Sequence, residues 1–287
     1  MIHVETFYDE TTGTGSYVIH DKSALRAAII DPVLHFDVSS GAVSTTLADK
    51  QLAYLHSNNL HLDYICDTHA HADHLSAAAY LKQKTTAQTV ISQGIGEVQQ
   101  RFSAQFNKPV VNDLSALYDI LVKDGDSLYL GDERLLVMAT PGHTSDSVSY
   151  IAGNNIFVGD TLFMPDVGTA RCDFPGGDAA QLYRSILRIH ELDDNTVIWV
   201  CHDYPPDNRP VKLHTTVGNS RRKNIHVNQN MNENDFIRVR TRRDATLATP
   251  KLLYPSLQVN LWGALLPEAE DNGNRYIKIP LTTKGVF

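Results

Sequence analysis

Cysteine is scarce in this chain. Three in 287 residues, Cys66, Cys172 and Cys201, are too few and too scattered to staple a fold, which excludes a disulfide framework and fits a reducing compartment. Long apolar runs are also missing. Stretches such as "YICDT" and "ERLLVMAT" fall far short of the roughly 20 residues that a membrane-crossing helix needs, so no span and no membrane partner are expected. The first residues carry acids and no apolar segment behind a basic one, so neither a secretory signal nor an Arg-rich transit peptide is read there, and the expected location is the cytoplasm. Positive charge is in deficit, 25 Lys and Arg against 33 Asp and Glu for a net -8, which argues against nucleic acid or an anionic membrane surface as a general partner. What remains is ordinary globular composition, 42% hydrophobic and 20% charged, enough to bury a core unaided.

The patterning predicts a β-rich body. Residues 2–31 alternate apolar and polar around Gly13 and Gly15, which reads as three strands of one sheet, the third ended by Pro32. A helix is expected over 42–57, a buried strand over 62–68, a helix over Leu75–Leu81, a strand at "QTVIS" and a helix at "GEVQQRFSAQF". Four more strands follow at "DSLYL", "ERLLVMAT", "SVSYIA" and "NIFVGD", then an amphipathic helix over 178–192 and a closing strand, "TVIWVCHD". Beyond residue 203 the texture changes to Pro205, Pro206 and Pro210, two polar helical stretches and a Pro-punctuated tail. Between Arg209 and Arg243 that segment carries nine Lys and Arg against Glu233 and Asp235. It reads either as solvated helix faces paired with acids elsewhere or as an anion-recognising wall beside a site.

The chemistry gathers in Thr68-His69-Ala70-His71-Ala72-Asp73-His74, directly after the strand that ends at Cys66 and Asp67. Three imidazoles and a carboxylate so close together would waste desolvation in a packed core unless they shared something positive, and a metal ion is that something. His69 and His71 project the same way from the strand end, while Asp73 and His74 are expected to open the next helix and face a neighbouring metal position. More ligands follow other apolar runs: His143 in "TPGHT", Asp160 in "VGD", and His202 in "CHD". Of thirteen histidines these five have such a placement. The other eight, His3, His20, His35, His56, His61, His190, His214 and His226, read as structural or solvent-facing.

THAHADH, TPGHTSDS, VGDTLF and the later CHD resemble, in order and spacing, the signature of the metallo-β-lactamase superfamily over about residues 2–203. The resemblance implies an α+β fold, a four-layer αββα sandwich with a metal site at one edge between the sheets. Residues 1–203 would form this core, and residues 204–287 a helical and irregular C-terminal extension packed on it within a single domain. Hydrolases, lactonases, nucleases and oxygenases share the frame, so fold does not fix function. In the hydrolytic members, such as glyoxalase II, the resemblance would give His69, His71, His143 and Asp160 to one zinc and Asp73, His74, His202 and bridging Asp160 to another. In the persulfide dioxygenase branch, a single iron(II) per chain is held by His69, His143 and Asp160 as a 2-His-1-carboxylate facial triad. His71, Asp73, His74 and His202 would then be a second metal position or groups that orient the ligands.

Smaller features resemble the dioxygenase branch: "IIDPV" before the first long helix, "TARCDFPGGDAAQLYRSI" after Asp160, and "CHDYPP" with a tail of the type "RKNIHV…RDATL…PS…QVN". The implied reaction is oxidation of glutathione persulfide by O2 to sulfite and glutathione, in a homodimer. The alternative is di-zinc hydrolysis of glutathione thioesters or lactones. A non-enzymatic metal-binding or persulfide-sensing protein is disfavoured, because structural sites are ligand-closed. The stretch between Asp160 and Arg171 is longer than in animal-type members, and the glutathione-holding C-terminal domain of glyoxalase II is not recognisable here. The expected substrate contacts are Arg171, for a glutathione carboxylate, with Tyr204 and Arg221 beside the last histidine. Their structural alternatives are an ion pair of Arg171 with Asp173 or Asp178, a core hydroxyl and a solvated charge. Cys172 and Cys201 read as small packing residues.

Overall fold

The structure of the chain, a computed structural model, describes residues 1–281. The alternating N-terminal segment forms an antiparallel meander of β1 (Ile2–Asp9), β2 (Thr14–Asp21) and β3 (Arg26–Ile30). The chain continues through β4 (Val33–Phe36), β5 (Val43–Ser44) and α1 (Thr46–Ser57), and returns as β6 (His61–Cys66) parallel to β3. Next come β7 (Leu75–Ser76), α2 (Ala78–Lys84), β8 (Gln88–Ser92), α3 (Ile95–Phe106) and β9 (Ile120–Val122). Because β8 and β9 add in parallel, each needs a crossover, and α2 and α3 supply them. The resulting six-stranded sheet has the order β1-β2-β3-β6-β8-β9, with β5-β4-β7 as a small sheet beside it.

The second six-stranded sheet runs in sequence order through β10 (Ser127–Leu130), β11 (Glu133–Ala139), β12 (Val148–Ala152), β13 (Asn155–Phe157), β14 (Val197–Trp199) and β15 (His214–Thr216). Between β13 and β14, which pair in parallel, runs α4 (Ala179–His190). The extension adds α5 (Val217–Lys223), α6 (Glu233–Asp244) and α7 (Leu253–Asn260).

Three apolar clusters make these elements four layers. Tyr17, Ile19 and Ile30 of the first sheet pack with Leu135, Val137 and Phe157 of the second to fill the space between them. Val18, Ile29 and Ile65 turn the other way onto Ala48, Leu55 and Leu81 of the helices α1 and α2. Ile156 and Ile198 face outward onto Leu182 and Ile186 of α4, Val217 of α5 and Phe236 of α6. β2 is buried at every position because its alternate side chains enter the first two clusters. Among the described residues no helix is long and apolar enough to cross a membrane, and the three cysteines are free and buried.

The structure corrects five expectations. Val43 and Ser44 pair with Phe36 and His35 as β5, so the helix expected over 42–57 begins only at Thr46. Leu75 and Ser76 are extended, not helical, because they pair with Leu34 and Val33 of β4, and α2 starts only at Ala78. Asp73 and His74 therefore sit in the loop before β7 instead of opening a helix. The strand at "TVIWV" does not close its sheet, since β15 pairs outside it. The tail also contains α7, which buries Pro255 through Asn260 on every side and so leaves no helical periodicity in the sequence.

Candidate metal centre

The histidine loop leaves the end of β6 and is pinned from three directions. Asp31, at φ 50° after β3, takes the Thr68 N–H at 2.7 Å and the Thr68 hydroxyl at 3.0 Å. Asp146 accepts the Ala70 N–H at 2.9 Å. Asn260, at the end of α7, donates its amide to the carbonyls of both His71 and His74 at 2.8 Å, while its oxygen accepts the Ser76 N–H at 2.8 Å. Two glycines allow the other ligands to approach. Gly159 lies at φ +51°, where a Cβ would stand 2.4 Å from the Thr68 hydroxyl, and Gly142 lies at φ +141° against the backbone of Leu182. Asp160 and His143 follow them directly.

Each ring is fixed through one nitrogen, which decides what the other can do. His143 donates Nδ1–H to the Arg171 carbonyl at 2.7 Å and His202 donates Nδ1–H to the Gly13 carbonyl at 3.0 Å, so both leave Nε2 as the potential ligand atom. The Nδ1 of His69 is 3.0 Å from the Thr68 hydroxyl. His71 is turned around, with Nε2 bonded to Asp31 at 2.9 Å and Nδ1 left bare. His74 contacts Asp73 through Nδ1 at 3.1 Å.

Four groups of possible ligands form among the described residues; Asp160 with Cys201 and His202, and Asp31 and Asp67 with His71, overlap the two main ones. His69, His143 and Asp160 offer ligand atoms all within 4.8 Å of one another, and so do His71, Asp73 and His74. Asp160 stands between the groups: Oδ2 is 3.7 Å from His143 Nε2 and 4.0 Å from His69 Nε2, and Oδ1 is 3.4 Å from His202 Nε2. His202 Nε2 also lies 3.0 Å from Asp73 Oδ2. Burial, reinforced by the neighbouring imidazoles, holds the His69 and His71 pKa values well below the ordinary histidine value, so both rings are neutral donors. Burial lowers His202 too, but Asp160 and Asp73 outweigh it and push it up to about 10. The two carboxylates thus demand a positive charge.

These residues fit a metal. His69 Nε2, His71 Nδ1, His74 Nε2 and Asp160 Oδ1 are buried without a hydrogen-bond partner. At about 1–3 kcal/mol per orphaned group they would together cost on the order of 4–12 kcal/mol, comparable with a domain's whole stability, unless a cation satisfies them. Nitrogen and oxygen donors of this kind suit zinc, iron and manganese alike.

Beside the centre lies a cavity of about 620 Å³, to which Asp73, His143 and Asp160 are open. Its walls include Phe163, Val167, Phe174 and Leu247. Tyr204 lines it and stacks on His202, with ring centroids 5.7 Å apart and planes at 14°. Arg171 lines it too, but its guanidinium grips Asp173 at 2.6 and 2.7 Å and the Ala248 carbonyl at 2.7 Å; of the two readings of Arg171, the local ion pair is the one present. Arg221 lies away from the cavity, paired with Asp194 and the His190 carbonyl. Asp31 and Asn260 are the supporting residues that the motifs did not flag. Asp31 stood within "IIDPV", at a strand end before proline, whereas nothing local marked Asn260.

Residues 13–202 match the metallo-beta-lactamase superfamily. A beta-lactamase hydrolase-like protein of Xylella fastidiosa is 46% identical over 97% of this chain, and this chain spans 64% of that protein's length. The mitochondrial persulfide dioxygenase ETHE1 of Homo sapiens is 30% identical over 71% of this chain and 69% of its own. The crystal structure of ETHE1 from Myxococcus xanthus superposes with a TM-score of 0.74 at 30% identity, covering 92% of this chain and all of that one. With its two face-to-face sheets, outer helices and histidine-lined edge, the chain belongs to the metallo-beta-lactamase superfamily.

Proposed function

We propose that this chain is an iron(II)-dependent persulfide dioxygenase, which takes glutathione persulfide, O2 and water to glutathione, sulfite and two protons. The observation that carries the reading is which group meets the cavity. Two of the three residues of the 2-His-1-carboxylate set, His143 and Asp160, line it, whereas the second group reaches it through Asp73 alone. His69, His143 and Asp160 would hold the iron, one ion per chain. When bound, iron supplies the redox chemistry that moves electrons from the persulfide sulfur to dioxygen.

The chain's own residues orient and shield. The Arg171 carbonyl and the Thr68 hydroxyl fix the His143 and His69 rings, and Asp31 fixes His71. Phe163, Val167, Phe174 and Leu247 make an apolar enclosure that limits competing water. Asp73 Oδ2 and His202 Nε2 lie 3.0 Å apart as an ion pair, with Asp160 Oδ1 3.4 Å away on the other side of the imidazole nitrogen. The same reading carries a cytoplasmic homodimer.

A second reading, di-zinc hydrolysis of a glutathione thioester or lactone, is favoured by the intact second group, His71, Asp73 and His74 with His202, and by the hydrolase-like name of the Xylella relative. Anaerobic purification with metal quantitation, then parallel assays of oxygen uptake on glutathione persulfide and of thioester cleavage, separates the two. One iron with oxygen consumed and sulfite formed supports the dioxygenase; two zinc ions with thioester cleavage and no oxygen uptake overturns it.

Two further outcomes are expected. His71→Ala should retain at least about tenfold more oxygen uptake than His143→Ala, because His71 lies outside the triad and loss of an orienting neighbour costs about 10–100-fold. Equal loss in the two variants would count against a one-metal centre. The Asp160 and Asp73 carboxylates hold a proton on His202 in the metal-free protein, and a metal at the second position must displace it. Occupancy of the second position by zinc should therefore rise with pH, because metal competes with a proton for the same lone pair. Equilibrium dialysis at several pH values reads it directly, and a stoichiometry independent of pH would remove His202 from the second position.

A further inference from the structure

Three arginines line the cavity, and they differ in what they already hold. Arg171 is committed to Asp173 and the Ala248 carbonyl. Arg240, 2% exposed, is committed to Asp244 and to the Thr169 carbonyl at 2.9 Å. Arg243, exposed at the last turn of α6, has no ion pair and no side-chain hydrogen bond among the described residues. The acids of the wall do not answer it. Asp166 is taken by Arg209 at 2.5 and 2.6 Å, and Asp73 and Asp160 belong to the metal centre. Outside that centre the cavity wall therefore keeps one positive charge without an acidic partner among the described residues.

The position of this charge is set by the fold. Asp244, the neighbour of Arg243, accepts the Cys172 N–H at 2.8 Å and pairs with Arg240, whose Nη1 reaches back to Thr169. The last turn of α6 is thus fastened to the 169–173 segment, the same segment whose Arg171 carbonyl orients His143. The helix turn that carries Arg243 is therefore fixed, so an anion has only the arginine side chain to order and no loop.

We infer that Arg243 binds a carboxylate of the substrate's organic portion, and that the extension beyond the superfamily match at residues 13–202 thereby selects the substrate. The inference rests on the glutathione-derived substrate proposed above. Glutathione carries two carboxylates remote from its sulfur, and Arg243 takes one of them while the sulfur faces His143 and Asp160.

The test is binding of S-methylglutathione, whose methyl stands in for the terminal sulfur of the persulfide, to the metal-loaded protein by calorimetry. Its diethyl ester is measured in parallel. Arg243→Gln should weaken S-methylglutathione by about 10–100-fold, the range for a lost charged hydrogen bond, with metal content and melting temperature unchanged. Arg243→Lys should recover part of the loss, and Arg242→Gln, on the neighbouring exposed residue, should change nothing. Esterification should weaken binding to the unaltered protein but not further weaken it to Arg243→Gln. If Arg243→Gln binds as tightly as the unaltered protein and discriminates the ester equally, the assignment of Arg243 is overturned and the glutathione reading stands. If the unaltered protein binds neither ligand, both are overturned.

Discussion

Replacing Asp160 by alanine is expected to reduce metal from its loaded level to background and to cut turnover at least about 1,000-fold, whichever of the two reactions the centre performs. Asp160 supplies the sole carboxylate of its three-residue group, and its other oxygen reaches His202 beside the second group. Its loss opens both positions at once, and alanine provides neither charge nor lone pair. The fold should survive. Burial raises the Asp160 pKa against the pull of His202 and His143, so the substitution removes a desolvation cost and an ion pair together, and the metal-free protein should still melt in one cooperative transition. Metal quantitation, turnover and a melting curve on the same preparation keep ligand loss apart from unfolding. Retention of both metal and turnover in Asp160→Ala would sink the assignment.

Asn260→Ala carries the second large effect, and it comes from the far end of the chain. One amide holds the carbonyls of His71 and His74 and the N–H of Ser76, all buried, and alanine leaves the three backbone groups without partners. At about 1–3 kcal/mol for each orphaned group, a destabilisation of about 3–9 kcal/mol is expected, or a fall of at least about 6 °C in melting temperature for a chain of this size. Metal affinity should fall with it, because the same contacts hold the backbone of two candidate ligands. Asn260→Asp keeps the acceptor for Ser76 and loses both donors, so it should retain less than half of the effect of the amide. A melting temperature within a degree of the unaltered protein in Asn260→Ala would show that the loop is held by Asp31 and Asp146 alone.

The basic segment shows how far a charge count can be taken. Arg209, Arg221, Arg222, Arg238 and Arg240 all pair with acids, as a solvated or packed helix face would. Arg243 alone of the segment's residues combines a place on the cavity wall with freedom from any such partner among the described residues, which leaves the anion-recognising reading to a single side chain. The sequence offered Arg171 first, because a planar guanidinium matches a carboxylate and the segment that carries it resembles the substrate loop of the dioxygenase branch. Its carboxylate partner turned out to be two residues away, and its contribution to the centre is its backbone carbonyl. A peptide carbonyl has no residue-specific signature, so no motif can announce it.

The donors were readable in the sequence for a local reason. His69, His71, Asp73 and His74 lie within one loop, and His143, Asp160 and His202 each follow an apolar run, so strand exits and residue types sufficed to nominate them. Most of the long strands were readable because alternation and apolar runs are local consequences of burial, whereas their division into two facing sheets was expected only from the family resemblance. Tertiary structure alone decided which nitrogen of each ring is free, since that depends on acceptors such as the Gly13 carbonyl, 189 residues from His202. It alone brought Asn260 under the histidine loop, 186 residues from His74, and buried α7 on all sides so that no periodicity betrayed it. It alone separated the spent arginines from the unspent one. A chain specifies its chemical groups and its local periodicities directly, but pairing between distant groups is fixed only when the whole core closes around them.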